Sequence, residues 1–73
     1  MIRIRNNQKS PIAIMVRSKN GGFTTQIIPG IGAGKNVVFI ADERDTDNIS
    51  QLEARNLIKV DRNIKEEVIN KDI

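Results

Sequence analysis

Residues 30–36 read Gly-Ile-Gly-Ala-Gly-Lys-Asn. A glycine-rich loop ending in Gly-Lys is the raw material of a phosphate cradle. The glycines let backbone N–H groups converge on phosphate oxygens, the lysine reaches the terminal phosphates, and a following Ser or Thr holds magnesium. The pattern needs Gly, four residues, then Gly-Lys-Ser/Thr, set between a strand and a helix. Here Pro29 stands where the first glycine belongs, and Asn36 replaces the hydroxyl residue. The next stretch, Val37-Val38-Phe39-Ile40, favours a strand, which begins with no cluster of unpaired N–H groups. The dinucleotide spacing G-x-G-x-x-G fails too, because Gly30 and Gly32 are followed by Gly34 and not by a glycine at 35. A plain connecting loop, in which Pro29 stops one strand and Lys35 sits in solvent, accounts for the stretch, and no cofactor is expected.

Two charged constellations remain. Asp42, Glu43, Asp45 and Asp47 are close enough in sequence for acid–base work or cation binding. Arg44 interrupts them, no glycine bends the chain among them, and no bidentate Glu follows at the distance a calcium loop requires. Acids at the start of a helix explain them better. The basic residues Arg3, Arg5, Lys9, Arg17 and Lys19 fall in the first third of the chain. Arg3 and Arg5 share one face of a strand, and with Arg17 they would form a stripe able to meet phosphates. Only Phe23 is at hand to stack bases, whereas single-strand readers rely on interleaved aromatics. Strand edges also carry Arg and Lys simply to prevent sheet-to-sheet aggregation. Nucleic-acid binding by a small basic β-barrel is therefore the alternative reading.

The composition narrows the classes further. With 73 residues the chain makes one small domain. It has no Cys, so neither disulfides nor thiolate metal sites arise, and no His, the usual general base and commonest metal ligand. We therefore expect no enzyme, no catalytic residues and no metal site. The net charge of +3 is scattered along the chain. Met1–Arg5 opens no apolar run long enough for a signal peptide or a span, so no membrane partner is expected.

The elements that would position these residues are short strands and one helix. Ile2 and Ile4 alternate with Arg3 and Arg5 as in a half-buried strand. After the polar turn at 6–11, Ile12, Ile14 and Val16 mark a second strand. Ser18-Lys19-Asn20-Gly21-Gly22 is a hairpin signal, and 23–28 is the returning strand, with Phe23, Thr25 and Ile27 on one face. Val37–Ile40 is a fourth strand. Thr46 or Asp47 caps a short helix carrying Ile49 and Leu52, which Asn56 ends in a left-handed conformation. Residues 57–60 form a fifth strand. The expected fold class is α+β: a small, mostly antiparallel sheet or partly open barrel of about five strands, covered by one helix. Its core would join Ile14, Val16, Ile27, Val38, Ile40, Leu52 and Ile58.

This organisation gives a β-rich domain over 1–60 and a C-terminal arm over 61–73. In the arm, Ile64 and Val68 lie four apart, as do Ile69 and Ile73, so each pair would share a helix face and could dock on a partner. The loops at 6–10, 18–22 and 30–36 are further tips suited to a neighbouring surface.

The order of these features resembles small virion accessory proteins of tailed bacteriophages. The strand and turn "IRIRNNQKSPIAI" lead to "QIIPGIGAGKNVVFIADERDTDNISQLEARNLIKV", with its Pro-Gly loop, β-run, acidic turn, helix and closing strand. The likeness covers about residues 2–60 and is one of pattern and size. It implies a decoration, auxiliary or connector-region component that is made in the bacterial host cytoplasm and ends in the virion. There it would bind major capsid or head–tail proteins in many copies, with no catalytic residues to carry over.

Overall fold

The computed structural model describes residues 1–64. Five strands form: β1 (Ile2–Asn6), β2 (Ile12–Arg17), β3 (Phe23–Ile28), β4 (Val37–Ile40) and β5 (Ile58–Asp61). One turn of 3-10 helix, Asp42–Arg44, precedes the single helix α1 (Asp47–Ala54). The fold is a small α+β arrangement. The strands lie in two antiparallel sheets, ordered β4-β1-β5 and β2-β3, and do not close into a barrel.

The hairpin β2–β3 follows from local sequence. Gly21 adopts φ +92°, which a side chain resists, and the loop closes with Ser18 N–H to the Gly22 carbonyl at 2.7 Å. That closure sets Arg17 opposite Phe23 and Ile12 opposite Ile28. β1 makes no hairpin with β2. It pairs instead with two later strands, Ile4 lying between Val38 of β4 and Val60 of β5.

Both sheets and the helix feed one core. Ile2, Ile4, Ile14, Val16, Ile28, Ile40, Ile49 and Ile58 are buried together, with Ile12, Val38, Leu52 and Val60 packed partly buried against them. Each such side chain contributes roughly 1.5–3 kcal/mol on leaving water. β-branched residues suit pleated strands and have stiff, well-defined side chains, which explains how a core of isoleucines and one valine can still be specific.

The structure corrects one core assignment. Ile27 is 58 % exposed, and Ile28 takes the core position of β3. The cause is register: Ile14 and Val16 point inward, so their partners Gln26 and Thr24 lie on that same face, and a face repeats every second residue. Ile28 continues that face and Ile27 does not. On α1, Ile49 is the fully buried anchor and Leu52 is only partly covered.

The helix ends as expected. Thr46 is the N-cap, its Oγ1 accepting the Ile49 N–H at 3.5 Å, and Asn56 follows the helix at φ +61°. The last described residues are tied to the domain beyond position 60. Asp61 belongs to β5, Arg62 bonds Asp45 and Glu53, and the Ile64 N–H donates to the Met1 carbonyl at 2.9 Å. Of the residues assigned to an arm, Ile64 is therefore partly buried beside the start of β1. Val68, Ile69 and Ile73 lie outside the described residues.

Candidate functional site

The glycine loop is knitted into its own fold. Its Ile31 N–H donates to the Gln8 carbonyl at 2.9 Å, and its Ala33 N–H donates to Gly30 at 3.1 Å. Gly30 has an ordinary φ and is needed for a different reason: a Cβ there would overlap the Lys9 carbonyl and lie 3.0 Å from the Ser10 nitrogen. The loop runs into strand β4, so its end carries no helix dipole.

Beneath that contact lies Asn6, a completely buried polar residue at the end of β1. Its Nδ2 donates to the carbonyls of Ser10, Ile28 and Pro29 at 2.9–3.2 Å, and its Oδ1 accepts the Gln8 N–H at 2.8 Å. One side chain thus ties the turn at 7–10 to the end of β3. A buried amide is tolerated only when so bonded. Nothing in an Asn-Asn-Gln-Lys-Ser run separates a buried knot from a solvated turn, so sequence reasoning passed over it.

Two of the four acids are held in ion pairs, Asp42 with the chain's N-terminal amine and Asp45 with Arg62. Asp45 and Glu53 accept from the Arg62 guanidinium at 3.0 and 3.1 Å. The hydrogen bond to Asp45 raises the Arg62 pKa above its ordinary value; slight burial opposes this, and Glu53 adds to it. Asp47 begins α1, where a negative charge is favourable. Among the described residues, no three His, Cys, Asp or Glu side chains are grouped to hold a metal ion.

The basic residues divide between the two sheets. Arg3 and Arg5 share the outer face of β4-β1-β5, as their alternation implies. Arg3 faces Phe39 on one side and Asp61 on the other, and is bound to Asp61 through Nε and Nη2 at 3.2 and 3.0 Å. Arg5 faces Val37 and Lys59. Arg3, Arg5, Lys35, Val37 and Phe39 line one shallow depression. Like charges directly across a strand pair destabilise it, so Arg5 opposite Lys59 is a small strain held in place. Arg17 does not join this face. It stands on the other sheet with its guanidinium 5.5 Å from the centre of the Phe23 ring. Sequence reasoning missed Lys59 and Phe39 here, because only the pairing of β1 with β5 and β4 brings them beside the arginines.

The outer face of β2–β3 has the opposite character. Ala13, Met15 and Arg17 lie across from Ile27, Thr25 and Phe23. Met15 is 42 % exposed and Phe23 56 %. Large apolar side chains gathered on an outward sheet face mark interaction surfaces. The two edges of this hairpin differ. At the β2 edge, Met15 N–H donates to Asn48 Oδ1 at 2.9 Å and the Met15 carbonyl accepts from Thr46 Oγ1 at 2.6 Å. The Arg17 carbonyl accepts from Arg44 Nε at 3.0 Å. The start of α1 and the 3-10 turn therefore seal β2. At the β3 edge, the outward backbone groups are those of Phe23, Thr25 and Ile27, since the alternate residues bond to β2. Among the described residues nothing covers them.

Comparison with protein-family models, with curated proteins and with solved structures returns no match.

Proposed function

We propose that the protein is a non-enzymatic structural component of a tailed-bacteriophage virion, binding capsid or head–tail proteins in many copies through the hairpin β2–β3. The observation that carries the docking role is the uncovered β3 edge beside the exposed apolar side chains of Met15, Phe23 and Ile27. The outward apolar side chains supply the contact with capsid or head–tail proteins, and the open edge lets that face be extended by a further strand. In the two places where chemistry was conceivable, Ile31 and Ala33 of the glycine loop donate within the fold, and Asp42 and Asp45 of the acidic turn are held in ion pairs. The sequence pattern of a short strand, polar turn, Pro-Gly loop, acidic turn and helix supports placing that docking role in a virion.

Copurification tests the reading. Particles isolated by density gradient from producing cells, and treated with nuclease, should carry the chain in many copies. The double variant Phe23→Ser/Ile27→Ser should fold yet remain in the unassembled fraction. Absence of the wild-type chain from particles would refute the virion role, and normal incorporation of the variant would refute docking through the hairpin.

A second reading rests on the outer face of β4-β1-β5, where Arg5, Lys35 and Lys59 form no ion pair among the described residues and Phe39 offers a ring. Such a face suits single-stranded nucleic acid. Titration with mixed-sequence single strands at low and high salt separates the two. A nucleic-acid reader loses affinity steeply with salt, by a slope of about 0.7 per phosphate neutralised.

A further inference from the structure

We infer that β3 pairs antiparallel with β3 of a second copy of this chain, about a two-fold axis at Thr25. This sets Phe23 of each protomer against Ile27 of its partner. The inference rests on the reading that the hairpin is a docking surface: the open edge takes the second copy, and the apolar outer face, shared by both protomers, remains for the capsid or head–tail partner.

Three features of β3 point to its own copy. The first is charge. Phe23–Ile28 carries none, and no Pro or Lys interrupts it. Exposed strand edges are normally blunted by charge, by proline or by a cover. The other free edges in this fold are weaker candidates: β5 carries Lys59 and Asp61, and β4 has four residues against the six of β3.

The second is the parity of the backbone. The hairpin register leaves Phe23, Thr25 and Ile27 with outward N–H and C=O groups. In an antiparallel pairing centred on Thr25, Phe23 meets Ile27 of the partner and Thr25 meets Thr25. All three residues have the same parity, so each facing pair exchanges two hydrogen bonds and no outward group in that stretch is left over. A two-fold axis generates antiparallel pairing, and the same patch then serves on both protomers.

The third is the side chains. The same three residues project to the outer face. An aromatic across from a β-branched residue, and Thr across from Thr, are favourable cross-strand pairs. The joined sheet would run β2-β3-β3-β2, with Met15 of each protomer flanking the central threonines on that face. A six-residue strand edge is a small contact beside a standard interface, so the free dimer is expected to form only between roughly 10 µM and 1 mM. Many copies held on one particle raise the effective concentration and favour the pairing further.

The full chain tests this directly, because it contains no cysteine to interfere. Sedimentation equilibrium should show a reversible monomer–dimer shift across that concentration range. Thr25→Lys should abolish the shift while circular dichroism stays unchanged, since position 25 does not bond to β2. Cross-linking tests the register. Directly opposed threonines have Cα atoms about 5.5 Å apart, within disulfide range, whereas Phe23 and its own copy would be roughly 14 Å apart. Thr25→Cys should therefore oxidise to a covalent dimer and Phe23→Cys should not. Phe23→Cys mixed with Ile27→Cys should give the mixed dimer. A chain monomeric throughout, a dimer that persists in Thr25→Lys, or self-linking at Phe23 would overturn the inference. The two failures are separable. A monomeric chain whose hairpin variants still fail to join particles refutes self-pairing and leaves docking intact. Correct cross-linking combined with normal incorporation of those variants does the reverse.

Discussion

Asn6 and Asn36 hold each other reciprocally: the Asn6 N–H donates to the Asn36 carbonyl at 2.9 Å, and Asn36 Nδ2 donates to the Asn6 carbonyl at 2.9 Å. The glycine loop is thereby fastened at its exit to the end of β1, while the Asn6 side chain fastens its entrance at Pro29. Replacing Asn6 by Leu leaves the buried Ile28 carbonyl and the part-buried groups of Gln8, Ser10 and Pro29 without their partner. Each lost partner at a buried group costs about 1–3 kcal/mol, so urea denaturation should show a loss above ~2 kcal/mol. Asn36→Ala removes one hydrogen bond and should cost about 1 kcal/mol. Equal losses for the two variants would contradict the central place given to Asn6.

Gly30 and Gly22 should respond oppositely to alanine. At Gly30 the added Cβ meets the Lys9 backbone, which cannot move without disturbing the turn held by Asn6. A lowered thermal midpoint, by several degrees at least, is expected there. At Gly22 nothing lies within 4 Å and φ is ordinary. That substitution should be neutral or stabilising by up to about 1 kcal/mol, through a less flexible unfolded chain.

On α1 the burial ranks two substitutions. Ile49→Ala should cost about 2–5 kcal/mol, which in so small a domain approaches its whole stability. Leu52→Ala should cost less, because Leu52 already keeps part of its surface in water. Ile27→Ala should change stability by under about 0.5 kcal/mol, as exposed positions do. Denaturation midpoints of the three variants give the order, and a large loss at Ile27 would place it in the core after all.

Calorimetry with ATP or GTP and magnesium should show no saturable binding, and Lys35→Ala should leave that result unchanged. Two of the loop N–H groups, those of Ile31 and Ala33, are already donated within the fold, and the loop leads into strand β4, which offers no helix N-terminus to a phosphate. Micromolar binding lost in the variant would mean that the loop rearranges into a cradle.

Much of the fold was legible because it is local. The hairpin signal at 18–22, the Thr46 cap and the Asn56 stop each act through neighbours in sequence, and all three stand where the residues put them. The face of β3 was misread because Phe23-Thr24-Thr25-Gln26-Ile27-Ile28 alternates in neither parity. The stronger pattern of β2, carried across the hairpin register, decides it in favour of Ile28. The division into two sheets was not legible. It depends on β1 choosing β4 and β5 over its neighbour in sequence, and the Arg3–Asp61 pair that accompanies this choice spans 58 positions. The basic face inherits the same obscurity, since Lys59 and Phe39 reach Arg5 and Arg3 only through that pairing.

The near-uniform core has a practical meaning for observing this molecule. With no Trp or Tyr, the chain is almost dark to ordinary fluorescence. Yet each of the five strands and the helix sends at least one buried isoleucine into the common cluster. Isotopic labelling of a single amino acid would thus place a methyl reporter on every element at once. The spectrum of those methyl groups would show directly whether the two sheets melt as one body or part company first.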